Sequence, residues 1–192
     1  IQHGIEASFT NPWLFRTPSK ADVSTLYERQ EEPGYDLVHG IGRFMLGRRF
    51  RHSTFTAAYR FERAQLRNVK TTEEPSVKIS NTNGIKISAI HDTRDNIMNA
   101  SRGVFTELGF EFGLFYADKT DPFYRITGAV RYYKPLSRTT VLAMSLDMGI
   151  MGAGDNIDTI PLQERFYAGG PNTVRGFGYQ KVGALDSKRV PL

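Results

Sequence analysis

The sequence predicts an all-β fold, an antiparallel transmembrane β-barrel of which this chain forms a part. Apolar residues recur at every second position in several segments, a period that strands produce and helices do not. Charged residues gather on the opposite parity of the same segments. The connections fall into two alternating groups, one longer and more polar, as loops and turns do in outer-membrane barrels.

Eight strands are predicted, each near the length that crosses a bilayer at a tilt. In chain order they cover about residues 2–10, 22–30, 37–46, 54–62, 84–92, 104–116, 123–134 and 141–151. The last segment alternates most clearly, with one face made only of large apolar residues: Leu142, Met144, Leu146, Met148 and Ile150. No stretch approaches the roughly 18 to 20 consecutive apolar residues of a membrane-spanning helix, so a helical membrane protein is excluded.

The face opposite the apolar residues collects the charges of the predicted strands. These residues are Arg60, Glu62, Glu107, Glu111, Arg125, Arg131 and Asp147. A soluble barrel instead fills its interior with apolar groups, so the charged face favours a membrane barrel whose charges point into the lumen. A soluble β-sandwich with one solvated face is the alternative.

Two sets of connections lie at opposite ends of the predicted strands. One set covers residues 11–20, 47–51, 93–103 and 135–139, and the other covers 31–36, 68–83, 118–121 and the segment after Gly152. The second set holds the longest and most polar loops. We therefore expect it to lie outside the cell and the first set to lie in the periplasm.

Several function classes are disfavoured by composition. The chain has no cysteine, and hence no disulfide, zinc knuckle or thiol nucleophile. Its net charge is +5, but basic residues are scattered singly among acids, so no nucleic-acid partner is expected. The four histidines lie on separate segments without the spacing of a metal site. His91, Asp92 and Asp95 could suggest an outer-membrane protease, but their predicted periplasmic position argues against it. We expect no enzyme, no cofactor and no metal.

The most specific motif lies near the end of the chain. It runs Arg165-Phe166-Tyr167-Ala168-Gly169-Gly170, then Val174-Arg175-Gly176-Phe177 and Tyr179. This resembles the BamA/TamA superfamily of outer-membrane protein assembly factors, the bacterial surface antigen superfamily, whose sixth extracellular loop carries such a pattern. Residues 183–186 and 191–192 are similar to the family's continuation. Residues 92–96 with 102–103, and residues 11–15, are similar to turns of the same family.

The resemblance implies a fold, a location and partners. The strands are similar to the fourth to the eleventh of a sixteen-strand barrel, with residues from about 153 to 192 as the sixth extracellular loop. The implied protein is a multi-pass barrel of the bacterial outer membrane that inserts or translocates unfolded outer-membrane or secreted proteins, with periplasmic or lipoprotein accessory subunits. A two-partner secretion exporter, a patatin-like lipase fused to such a barrel and a passive porin-like channel are the alternatives.

The chain is interpreted as a fragment of that larger protein. It opens without the charged n-region and apolar h-region of a signal peptide and stops after a long loop. In the family, periplasmic repeat domains precede the barrel and a weak seam joins its first and last strands. We expect both to lie outside this chain.

Arg175 is the predicted functional residue of the loop motif. Its guanidinium offers a rigid fork of donors that suits a carboxylate on the inner wall. Gly176 would let the backbone pass close to that wall, and Phe177 would pack beside it. The resemblance places the acid on a strand after the loop. Within this chain the candidate lumenal acids are Glu107, Glu111 and Asp147, and the expected supports of the loop are Phe166, Gly169, Gly170 and Tyr179.

Overall fold

Antiparallel strands paired in chain order form a single open sheet in the computed structural model of the chain. The structure describes residues 2–32, 34–70, 78–115, 122–154, 160–171 and 173–182. Within those residues the eight strands are β1 (Gln2–Asn11), β2 (Ser19–Glu31), β3 (Asp36–Phe50), β4 (Ser53–Arg67), β5 (Ile79–Asp92), β6 (Gly103–Phe115), β7 (Phe123–Pro135) and β8 (Val141–Ala153). The predicted all-β, antiparallel fold is confirmed, and the sheet is open, as expected of one part of a larger barrel.

The strands extend further than the alternation indicates. The predicted turn at 47–51 is present but shorter, because β3 continues to Phe50 and pairs it with Ser53 across a turn of Arg51 and His52. Similarly, β5 begins at Ile79, within the predicted loop 68–83. In both places mostly polar residues extend the strand beyond its apolar stretch, so the backbone ladder continues where the regular apolar alternation stops. The predicted strand end at Tyr116 lies outside the described residues.

Strand pairing brings the apolar parities together on one face, which we call the outer face. One row of paired residues runs across seven strands: Phe9, Val23, Phe44, Tyr59, Ile85, Phe112 and Tyr124. The middle of the outer face is uncharged, and its charged residues lie toward the strand ends, among them Arg29, Arg63 and Arg67 at one end and Arg48 and Lys134 at the other. This is the surface expected of a wall that contacts lipid. The described residues include no helix long and apolar enough to span a membrane.

The opposite face, the inner face, carries a small apolar cluster where the chain after β8 returns to the sheet. Tyr35, Leu37, Ala64, Leu66 and Leu162 pack together there and are nearly inaccessible to solvent. Leu162 belongs to a short 3-10 turn, Leu162–Glu164, whose neighbour Ile160 is 1% exposed. Residues 160–164 therefore lie against the inner face, over β3 and β4.

Candidate functional site

An ion-pair network joins β4, β6 and β7 on the inner face. Arg60 of β4 donates to Glu111 of β6 at 2.8 Å (Nη2 to Oε1), and Arg125 of β7 donates to the other oxygen of Glu111 at 3.2 Å. Arg60 also pairs with Glu62, two residues along its own strand. Glu62 in turn lies 3.0 Å from Nδ1 of His39 on β3. The network thus links four strands through buried or partly buried charges.

Gly84 makes the contact between Arg60 and Glu111 possible. It lies on β5, between β4 and β6, directly opposite Arg60. A Cβ atom at this position would lie 3.5 Å from Oε1 of Glu111 and 4.0 Å from Nε of Arg60. A longer side chain would occupy the space that the guanidinium crosses. The absence of a side chain on β5 therefore lets two strands that are not neighbours share an ion pair.

The loop segment contributes the carboxylate at the centre of this network. Glu164 accepts from Nη2 of Arg60 at 2.8 Å through Oε1 and from Nη2 of Arg125 at 2.7 Å through Oε2. Its main-chain oxygen accepts from Arg125 as well. Only 4% of Glu164 is exposed. One loop side chain therefore bridges β4 and β7, which are three strands apart in the sheet.

Neighbouring contacts fix the same segment, residues 160–167. Gln163 donates to the hydroxyl of Ser80 at 2.8 Å, and the ring of Phe166 fills the space over Gly149, where a Cβ would lie 2.7 Å from the ring. Burial raises the pKa of the Tyr167 hydroxyl. That hydroxyl donates to the main-chain oxygen of Leu162 at 2.9 Å. The segment is therefore held by charge, by amide and hydroxyl contacts and by packing.

Beyond residue 167 the loop folds back on itself. Gly169 and Gly170 have φ values of 117° and 98°, which favour glycine, and a Cβ at Gly169 would lie 2.4 Å from the main-chain oxygen of Gly178. A bridge between Ala168 and Val182 closes this lobe. The glycine pair predicted to support the loop thus makes its reversal possible.

The predicted tetrapeptide lies at the exposed tip of this lobe. Val174, Arg175, Gly176, Phe177 and Tyr179 are all exposed, and the φ of Gly176 is 90°. Within the described part of the chain, Arg175 makes no hydrogen bond or ion pair. Residues 183–186 and 191–192, which carry the continuation of the motif, lie outside the described residues.

The predicted lumenal acids separate into different environments. Glu111 is buried and pairs with Arg60 and Arg125, not with Arg175. Asp147 is exposed on β8, 3.7 Å from Arg131, and Glu107 lies half-buried on the inner face of β6. No contact joins Arg175 to these acids among the residues described, so its lumenal role stays a prediction.

Glu164 is the residue that sequence reasoning missed. It precedes the aromatic-glycine motif directly, but an isolated acid in a loop has no periodicity to mark it. A signal is present nonetheless: the alternation predicts that Arg60 and Arg125 lie on the inner face, where each needs a carboxylate partner.

Comparison with known proteins assigns the family. Residues 1–190 match the Omp85 superfamily domain. The chain is also similar to a solved structure, the crystal structure of BamA from Haemophilus ducreyi lacking POTRA domains 1-3, at 15% sequence identity and a TM-score of 0.82. The match covers 96% of this chain and 39% of that chain, so this chain spans about two fifths of that structure's length. The fold is shared with that barrel, and the family match extends over nearly every residue: the chain belongs to the Omp85 superfamily.

Proposed function

We propose that this chain is part of an outer-membrane barrel that inserts or translocates other proteins, and that it acts by binding and changing shape instead of by catalysis. The family and the fold support outer-membrane protein insertion or translocation in general. The observation that carries the proposal is the docking of residues 160–167 on the inner face through Glu164. The proposed partners are the outer-membrane bilayer, unfolded outer-membrane or secreted proteins, and periplasmic or lipoprotein accessory subunits.

The docked segment forms a contact with the wall that depends on the distance between β4 and β7. Glu164 contacts strands on either side of β5 and β6, so any spreading of β4 from β7 lengthens at least one of its two ion pairs. Both guanidiniums are mostly buried, and a lost ion pair there leaves a charge without full compensation. The position of the loop and the spacing of the wall are therefore coupled. A protein that must admit a substrate chain into or beside its barrel can use such coupling, whereas a passive channel of constant width has no need of it.

The exposed tetrapeptide supplies the second half of the proposed mechanism. Arg175 carries a charge at the tip of a lobe whose base is fixed by residues 160–167. In this proposal, Glu164 positions the base of the loop and Arg175 pairs with an acid of the barrel wall that is not among the described residues. Replacing Arg175 with Ala should then lower assembly activity and leave the barrel folded. Normal outer-membrane protein levels in that strain would count against the role of the tip.

The direct test replaces Glu164 with Gln in the full-length protein and depletes the wild-type copy. Gln keeps the size of the side chain but loses the charge that both arginines require, so outer-membrane protein levels should fall. Glu6→Gln is the matched control, because Glu6 is an exposed acid of β1 on the inner-face parity and makes no contact with the loop segment among the described residues. Equal levels in the two strains would refute the role given to Glu164.

The identity of the accumulating client tests the branch of the superfamily. Unfolded barrel precursors in the periplasm would indicate an insertase of the BamA or TamA type. Retention of one large secreted protein, with normal barrel assembly, would indicate a two-partner secretion exporter. Unchanged assembly and secretion together with altered solute uptake would instead support the channel alternative.

A further inference from the structure

The outer face carries a group of cations at the end of the sheet where the loop after β8 begins. Arg29 lies on β2, Arg63 and Arg67 on β4, and His3 on β1 is paired directly with Arg29. We call the three arginines the cationic patch. All have the parity of the lipid-facing residues, and the uncharged middle of the outer face begins immediately below them with Phe61.

Two adjoining grooves run between the side chains of this patch. One has a volume of about 490 Å³ and the other about 310 Å³, and Tyr27, Val38 and Arg67 line both. Gly40 forms part of the floor of the smaller groove because it has no side chain; the nearest atom to a Cβ there would be Cδ2 of Tyr27, at 3.9 Å. Exposed Ile5 extends the apolar wall of the larger groove. The grooves therefore combine apolar walls with a cationic rim.

Two of the arginines lack a carboxylate partner among the described residues. Arg67 donates to the side-chain amide oxygen of Gln65 at 3.0 and 3.3 Å, which leaves its charge uncompensated. Arg63 is exposed and makes no hydrogen bond or ion pair in the described part of the chain. Arg29 is neutralised by Asp36 at 3.1 Å, and that carboxylate is itself buried. The rim is thus positive on the side of β4.

Placement in the membrane decides which ligand fits. An arginine facing hydrocarbon is costly, so Arg63 and Arg67 mark the height at which lipid headgroups begin. A guanidinium binds phosphate through two parallel hydrogen bonds. The patch shares its end of the strands with the longest loops, which is the extracellular side in an outer-membrane barrel. The lipid of that leaflet is a phosphorylated glycolipid with several acyl chains.

We propose that the cationic patch binds the lipid A portion of lipopolysaccharide. A phosphate contacts Arg63 and Arg67, and an acyl chain lies in the groove over Gly40, against Tyr27 and Val38. This site rests on the outer-membrane location of the barrel and not on the insertase proposal, because it lies on the face opposite Glu164.

The test measures lipid A binding to the full-length protein in detergent micelles by native mass spectrometry. Each removed guanidinium should weaken binding about tenfold, so Arg63→Gln with Arg67→Gln should weaken it by about a hundredfold. Arg48→Gln is the matched control, because Arg48 is an outer-face arginine on β3 at the end of the sheet opposite the patch. The Arg48→Gln protein should bind lipid A as tightly as the wild type. Heat-dependent mobility on a gel establishes that each variant is folded.

A second variant tests the groove without changing charge. Gly40→Leu places a side chain where the acyl chain is proposed to lie, in a position with room for it, and should weaken lipid A binding while inorganic phosphate still competes at the arginines. Phosphatidylglycerol should bind at least tenfold more weakly than lipid A. Equal binding of the two lipids, or equal lipid A binding by the double variant and the Arg48 control, would overturn the proposal.

Discussion

Replacement of Glu164 with Ala should weaken the docking of the loop on the inner face. The change removes a carboxylate that accepts from Arg60 at 2.8 Å and from Arg125 at 2.7 Å. Removing one member of a buried ion pair costs roughly 3–5 kcal/mol. Both arginines keep Glu111 as a partner, and their side chains are 21% and 19% exposed, so the cost is smaller than that range. We expect the substitution to destabilise the docked loop by about 2–3 kcal/mol relative to the undocked loop.

That loss can be measured through the protection of a thiol. The sequence has no cysteine, so Leu162→Cys gives a single thiol in the apolar cluster, where Leu162 is 7% exposed. A maleimide reacts with it only when the loop is undocked, so the reaction rate follows the undocked fraction. A loss of about 2–3 kcal/mol raises that fraction roughly 30- to 150-fold.

The comparison is made in the Leu162→Cys background, with Glu6→Ala as the control. Reaction in the Glu6→Ala variant should match the parent, because Glu6 makes no contact with the segment among the described residues. If Glu164→Ala changes the rate less than twofold, the ion pairs do not hold the loop, and apolar packing and the hydrogen bond between Gln163 and Ser80 must do so.

Three further changes test other parts of the structure. If the outer face contacts the middle of the bilayer, Leu146→Arg should destabilise the barrel in lipid vesicles by roughly 2–4 kcal/mol. Unchanged stability in urea titrations would contradict that assignment. Hydrogen bonds from the Ser101 hydroxyl and from main-chain amides lower the pKa of Asp95 from its ordinary 3.8 to about 2, so its stabilising contribution is present above pH 3.8 and lost as the pH falls toward 2. Asp95→Asn should abolish that part of the pH dependence in acid unfolding curves, and a curve with unchanged shape would exclude this role for the turn. Gly113→Ala should lower the free energy of unfolding by roughly 1–3 kcal/mol, because the added Cβ would lie 2.0 Å from the ring of fully buried Phe123. Unchanged stability in the same urea titration would mean that the ring moves freely.

Much of the wall could be predicted because a strand in a membrane has a strong local signature. Leu142 to Ile150 alternate with small or polar residues, and the period of two assigns each side chain to a face without any knowledge of its neighbours. The same parity correctly placed Arg60 and Arg125 on the inner face. Where Arg48 interrupts the apolar row of the outer face, the signature ends before the strand does, and the predicted turn is too long.

The contacts of the loop could not be predicted in the same way. Whether Glu164 contacts Arg60 and Arg125 depends on the register of four strands and on the presence of glycine, which has no side chain, at position 84. Those conditions are set by pairing between residues far apart in sequence, which no local pattern records. The motif that draws attention in the sequence, around Arg175, is exposed at the tip of the lobe. The charged contact that the structure does contain lies eleven residues earlier in the chain.

The span of Glu164 from β4 to β7 also bears on the size of the whole barrel. Strands around a barrel lie on an arc, and the line between two of them is a chord of that arc. Because one carboxylate accepts from arginines at both ends of the chord, its length is limited to what two guanidiniums can reach. For a fixed number of strands along the arc, a shorter chord means a tighter curve. The docked loop therefore limits the radius of curvature of the wall between β4 and β7. If this wall flattens to widen the lumen, Glu164 must first lose its contact with Arg60 or Arg125.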